Sequence, residues 1–223
     1  AENVSPYLHD AVVATEDKRF YWHYGVSPRG IASAVRINLS EGRGPLSGNG
    51  GSTITQQVAK LLCLGVVYDQ AKWKSEADYE EDCRSGGVMR KLKELPFAVA
   101  MEVKYSKEEI LTIYFNRAYL GAGARGFEAA AQRYFGISAH DVSPAQAAML
   151  AGLLKAPSKY APTTNLQRAQ DRANIIVGLM EEQGYLTTAE ADEARAHPAQ
   201  LSQAAQTKSG GFFADWVMES APS

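Results

Sequence analysis

Three clusters of polar side chains have the makings of a reactive site. The first is Glu16-Asp17, followed at once by Phe20, Tyr21, Trp22, His23 and Tyr24. A carboxylate set against aromatic rings is partly desolvated, which raises its pKa and equips it as a general base. Either acid could equally pair with Lys18 or Arg19 and do nothing more. The second cluster is GGSTITQQVAK, residues 50–60. Its paired glycines allow a turn closed to bulkier residues, after which Ser52 or Thr53 can cap a helix. Thr53, Gln56, Gln57 and Lys60 recur at i, i+3, i+4 and i+7, so a hydroxyl, two amides and an ammonium share one helix face. A helix N-terminus with a lysine one or two turns later suits a phosphate-bearing ligand; a polar surface helix would read the same way. The spacing is not a Walker loop, because GxxxxGK[ST] is absent. The third cluster is Arg90, Lys91, Lys93 and Glu94, three cations beside one carboxylate. As an ordinary surface salt-bridge cluster it would contribute little.

These clusters need helices to position them. Residues 7–15 are an apolar helix that delivers Glu16-Asp17 at its end. Residues 28–40 form a helix entered at Pro28, with Ile31, Ala34, Val35 and Leu39 on one face. The glycine-rich stretch 41–51 is a substrate flap or a plain linker. The helix bearing Lys60 is expected to run to about Leu64, with Ile54, Val58, Leu61 and Leu62 toward the core. Residues 65–87 lose periodicity and read as an insertion. A helix over 89–105 follows, apolar nearly all round from Phe97 to Val103 and therefore expected to be buried; Pro96 should kink it or mark its true start. Capping boxes at Ser106-x-x-Glu109, Ser143-Pro144-x-Gln146 and Thr187-x-x-Glu190 open further helices. Gly121, Gly136 and Gly184 close the helical stretches 107–120, 127–135 and 165–183. Nothing alternates at period two, so the fold is mainly α. His9, His23, His140 and His197 are scattered, and each reads as a surface or satisfied histidine rather than a ligand.

At 223 residues the chain can bury a full core, and it carries a net charge of only −2 with 22% charged residues, which gives no global reason to expect nucleic acid. Any anion site must be local. No apolar run is long enough to span a membrane. Cys63 and Cys83 lie apart without CxxC spacing or companion histidines, which speaks against zinc and leaves a disulfide or two separate thiols. The abrupt ends suggest a piece of something longer.

Taken together, ATEDKRFYWHYG (14–25), GGSTITQQVAK (50–60), RKLKE (90–94), YSKEEILTIYFNRAYLG (105–121), RGFEAAAQRYFG (125–136) and AMLAGLLKAPSKYAP (148–162) resemble, in order, the motifs of the peptidoglycan glycosyltransferases. These are the family 51 glycosyltransferases, the polymerase domain of class A penicillin-binding proteins that is shared with monofunctional transglycosylases. The resemblance implies a lysozyme-like helical lobe plus a small membrane-associated lobe, about 39–87, in a domain spanning 1–197. A linker over 198–223 would lead toward a transpeptidase. The substrates implied are lipid II and the growing glycan strand, with Glu16 as the base and Glu94 as a second carboxylate orienting the pyrophosphate region. Lys60, Arg90 and Lys93 would neutralise the leaving group, with Lys91 beside them, while Asp17, Ser52, Thr53, Gln56 and Gln57 shape the sugar and phosphate sites. No cofactor is required, although a divalent cation, magnesium or manganese, could sit at Glu94. The implied place is the extracytoplasmic face of the bacterial inner membrane, anchored by a preceding transmembrane helix and in company with other cell-wall synthesis proteins. There the two cysteines would be a disulfide stapling the insertion. A lytic, lysozyme-like enzyme would leave Lys60 and the 90–93 cations unexplained, and a non-catalytic binder of lipid-linked saccharide is the other alternative. The long connection between Lys60 and Arg90, Ser33, Gly86 and Pro96 all depart from the family pattern.

Overall fold

The computed structural model describes residues 4–42, 44, 51–75, 78–79, 82–83 and 88–207, with the side chains of 88 and 89 left aside. Apart from one isolated bridge, Tyr119 to Arg125, the regular structure among these residues is helical, as the absence of period-two alternation predicts. The chain divides into two compact units, one made of 1–15 with 115–223 and the other of 16–114.

The first unit is built on α7 (Pro144–Leu153), which is buried from Ala147 through Leu153. So short an all-round apolar helix has to sit inside a core. The long α9 (Leu166–Glu182) packs against it, as does α10 (Thr188–Ala196). Ser143 and Thr187 close full capping boxes with Gln146 and Glu190, as their spacing predicts. Helix α6 (Phe127–Phe135) stops at a left-handed Gly136, and the short α8 (Pro157–Tyr160) links α7 to α9. The start of the expected linker is packed here too: Ala199 and Ala205 are buried, Gln170 Nε2 donates to Ala199 O at 3.0 Å, and Ser202 N donates to Tyr134 O at 2.9 Å. Residues 208–223 lie outside the described residues.

The second unit begins with Glu16, the last residue of α1 (Pro6–Glu16). It continues through a 3-10 turn at Phe20–Trp22, α2 (Pro28–Ser40), α3 (Ile54–Leu61), α4 (Val88–Lys104) and most of α5 (Lys107–Arg117). Four expectations need correcting here. Helix α3 ends at Leu61 rather than Leu64, because Cys63 and Leu64 take left-handed φ of 52° and 54°. Helix α4 begins eight residues before Pro96 and continues past it, so the proline does not mark its start. Its 97–103 stretch is not buried all round: Ala98 and Met101 are, while Val99 and Val103 are exposed. Helix α5 stops at Arg117, where the chain turns into the Tyr119–Arg125 bridge, well short of Gly121.

Helix α2 also buries a different stripe from the one its apolar residues mark. Ala34 and Asn38 face inward, while Ile31, Ile37 and Leu39 are exposed. Two glycines permit the close packing around α3. A Cβ on Gly51 would lie 2.7 Å from Ile31 Cα, and one on Gly25, at φ +77°, would lie 2.7 Å from Ala98 O. Cys63 and Cys83 form a disulfide with Cα atoms 5.2 Å apart, which settles the alternative that spacing left open. Inside the loop it closes, Trp73 and Tyr79 meet edge to face, with Tyr68 against Tyr79.

Candidate active site

The site residues are all drawn from the second unit, and α3 is their hub. Of the two caps the sequence allows, Thr53 is the one used: its Oγ1 accepts from Gln56 N at 3.1 Å and Gln56 Oε1 accepts from Thr53 N at 2.9 Å. Thr53 Oγ1 also donates to Gly25 O at 2.6 Å, which ties the aromatic loop to the start of the helix. Thr53 and Gln56 are thereby buried, at 2% and 1% exposure, and their groups named here are spent on structure.

The helix N-terminus itself is occupied. Asp17 Oδ2 accepts from Ile54 N at 3.1 Å and lies 2.9 Å from His23 Nε2, with Oδ1 at 3.1 Å from the same nitrogen. The two side chains are 6% and 8% exposed. A carboxylate on the first free amides satisfies the positive end of the helix. The anion-binding end read from residues 50–60 is therefore filled by the chain's own Asp17, and His23, scattered among the histidines by sequence, is the partner that fixes it.

Glu16, the neighbouring acid, has a different setting. Gln57 Nε2 donates to Glu16 Oε2 at 2.9 Å, and Gln57 Oε1 accepts from Tyr114 OH at 2.9 Å. Tyr114 is 1% exposed. Burial pushes its phenol well above the ordinary tyrosine value, and the nearby Glu16 charge pushes it further in the same direction. Glu16 is half-buried at the last turn of α1, so one oxygen is pinned by an amide while the residue keeps access to solvent.

The cation cluster is ordered around Glu94, which is 1% exposed. Arg90 Nη1 donates to its Oε1 at 2.6 Å and Lys91 Nζ to its Oε2 at 2.7 Å, and Lys91 also reaches Ser52 Oγ. This joins the first turns of α4 to the residue just before the α3 cap. Lys93 is exposed on the same helix, and Lys60 is half-buried on the last turn of α3. Both Glu94 oxygens face cations, and no group of three or more His, Cys, Asp or Glu suited to a metal occurs among the described residues. The residues around Glu94 do not fit a divalent cation held by protein alone.

A second buried network escaped the reading by sequence. Lys107 Nζ donates to His23 O at 2.6 Å and Glu102 Oε1 at 2.8 Å, lies 4.5 Å from the Phe20 ring centroid, and shares Glu102 with Thr55 Oγ1 at 2.5 Å. The signal was a lone acid within the apolar 97–103 stretch, since a buried charge must find a partner. Tyr114 had no such signal, because its spacing only marks it as core.

A family model described as transglycosylase matches residues 1–181. Penicillin-binding protein 1A of Aquifex aeolicus is 37% identical over 216 residues, covering 97% of this chain and 27% of that protein. The penicillin-binding proteins 1A of Vibrio cholerae and Neisseria flavescens are 40% and 45% identical over 197 and 187 residues, covering 88% and 84% of this chain and 21% of each relative. The chain thus spans about a quarter of the length of these relatives or less.

Proposed function

This chain belongs to the transglycosylase family, and from that premise we propose that it polymerises lipid II into glycan strands. Glu16 takes the proton from the 4-hydroxyl of the acceptor N-acetylglucosamine. The oxygen attacks the anomeric carbon of the donor strand's N-acetylmuramic acid, inverting α to β, and polyprenyl pyrophosphate leaves with the bonding electrons. The observation that carries this reading is the pinned Glu16 carboxylate, held at 2.9 Å by Gln57 on the helix that also bears Lys60. A base held in one orientation is what proton abstraction from a bound hydroxyl requires.

Lys60, Arg90, Lys91 and Lys93 meet the charge that develops on the pyrophosphate. Ser52 and Glu94 hold Lys91 for that task, while Asp17, Thr53 and Gln56 act from underneath by fixing α3. The second unit exposes Trp22, Tyr24, Ile37, Leu39, Val67 and Val103, a set suited to a membrane surface at the extracytoplasmic face of the inner membrane, where the substrate's lipid tail would lie. No helix among the described residues is long and apolar enough to cross a membrane.

The test is polymerisation of labelled lipid II by the wild type and by Glu16→Gln, with products resolved on a gel and digested with a muramidase. A muramidase-sensitive ladder from the wild type and a loss of roughly 10²–10⁴-fold in Glu16→Gln are expected for a general base. Binding of lipid II without polymer by the wild type would instead make this unit a saccharide-lipid binder.

A further inference from the structure

Resting on the polymerase reading, we infer that Tyr114 is a positioning residue for the base, acting on Glu16 only through the side-chain amide of Gln57. The polarity of the relay is forced. An ionised Glu16 can only accept, so Gln57 must turn its NH₂ toward it at 2.9 Å. That leaves the Gln57 carbonyl facing Tyr114, which must then donate, also at 2.9 Å. A phenol is suited to this place because it has a proton to give to the Gln57 carbonyl and, while it keeps that proton, presents no anion to it. Burial and the Glu16 charge hold its proton on, so it remains a donor across the range in which the carboxylate ionises. Without the hydroxyl, the Gln57 carbonyl loses its donor and only the Glu16 charge still orders the amide, so the amide holds the carboxylate less firmly. Tyr114 sits on α5, Gln57 on α3 and Glu16 at the end of α1, so the relay spans three helices and orients the base from the side away from solvent.

The charged and titratable groups beside the relay include the adjacent Asp17 with its partner His23, bound to α3 by Ile54 N, Lys60 three residues on from Gln57 along α3, and Tyr114 itself. None of them is altered in Tyr114→Phe except the phenol. The hydroxyl is the sole change, and the ring keeps its place in the core.

The experiment compares wild type, Tyr114→Phe, Gln57→Ala and the double variant by steady-state polymerisation of lipid II as a function of pH. It adds a direct titration of Glu16 by carbon NMR of the labelled carboxyl group. For Tyr114→Phe the expected result is kcat down on the order of tenfold, a fraction of what a general base supplies. KM should be little changed, and the acid limb of the pH profile should move up together with the Glu16 titration, because a carboxylate that loses an anchored donor is harder to ionise. In the Gln57→Ala background the same substitution should change neither rate nor titration. A Tyr114→Phe protein with lowered stability but an unmoved Glu16 titration would overturn the relay and leave Tyr114 a core residue. An additive loss in the double variant would overturn it as well. If the wild type makes no polymer yet the Glu16 titration moves in Tyr114→Phe and does not differ between Gln57→Ala and the double variant, the relay stands and the polymerase reading falls.

Discussion

Replacing Asp17 tests the idea that a buried carboxylate, rather than a bound ligand, closes the N-terminus of α3. In Asp17→Ala two buried donors lose their acceptor, Ile54 N–H and His23 Nε2–H, now held at 3.1 and 2.9 Å. Each stranded donor costs about 1–3 kcal/mol, so the expected loss is about 4 kcal/mol. That is a large share of the roughly 5–15 kcal/mol that holds a domain together. Asp17→Asn keeps the shape and one acceptor. Its carbonyl, in the place of Oδ2, can still receive both Ile54 N–H and His23 Nε2–H, while its NH₂ takes the place of Oδ1, 3.1 Å from the same nitrogen. The cost should be about 1–2 kcal/mol, the charge-assisted part plus the crowding of two donors. Urea unfolding followed by circular dichroism and by the emission of Trp22 and Trp73, both in the second unit, reads the difference. With a slope of about 2 kcal/mol per M, the midpoint should drop by about 2 M for alanine and under about 1 M for asparagine. Equal losses in the two variants, or an alanine loss below about 1 kcal/mol, would refute the reasoning.

Glu94→Gln leaves Arg90 and Lys91 together without their counter-charge, and lipid II polymerisation should fall on the order of 10–100-fold through misplaced cations; undiminished turnover would remove Glu94 from the site. Reduction of Cys63–Cys83, or Cys63→Ser with Cys83→Ser, releases a loop of sequence separation 20, and urea unfolding should show the second unit losing up to about 3 kcal/mol. Tyr134 has its phenol pushed up to about 12, chiefly by burial, while its hydroxyl donates to Leu120 O at 2.8 Å. A folded pKa raised above the unfolded value near 10 gives stability that is complete below pH ~10 and lost as pH climbs toward 12; thermal melts at pH 8 to 12 should show a shallower alkaline decline in Tyr134→Phe.

How much of this was legible in the sequence depended on whether the signal was local. The caps at Thr53, Ser143 and Thr187 were readable because a capping box is a contact between residues three apart, and all three form. The termination of α3 was not, because nothing local announces that Cys63 and Leu64 turn left-handed; the disulfide to Cys83, twenty residues on, accompanies that turn. Helix α2 misled for the opposite reason. Its spacing puts Ile31, Ala34, Val35 and Leu39 on one face, yet Ala34 and Asn38 are the buried pair and Ile31, Ile37 and Leu39 are exposed. A hydrophobic pattern reports which residues avoid water, not which neighbour covers them. In the site, Glu16, Asp17, Gln57 and the 90–94 cluster were visible as residue types, while their division of labour was not. It lies in long-range contacts: Asp17 to Ile54, Gln57 to Tyr114, and Ser52 to Lys91.

That division of labour bears on how the leaving group is met. With Asp17 on Ile54 N, the positive end of α3 is already compensated, and its dipole adds little for an incoming pyrophosphate. The task passes to side chains. Lys60 sits on the last turn of α3, where the negative end of the helix favours an ammonium. Arg90 and Lys91 would repel one another if left bare; Glu94 between them removes that repulsion, and Ser52 steadies Lys91 from the other side. On the proposed reaction a diphosphate arriving there would meet cations already gathered, leaving little reorganisation to be done when charge builds on the departing oxygen. On the proposed reaction Glu94, at 1% exposure, would be the resting counter-ion of the leaving-group site.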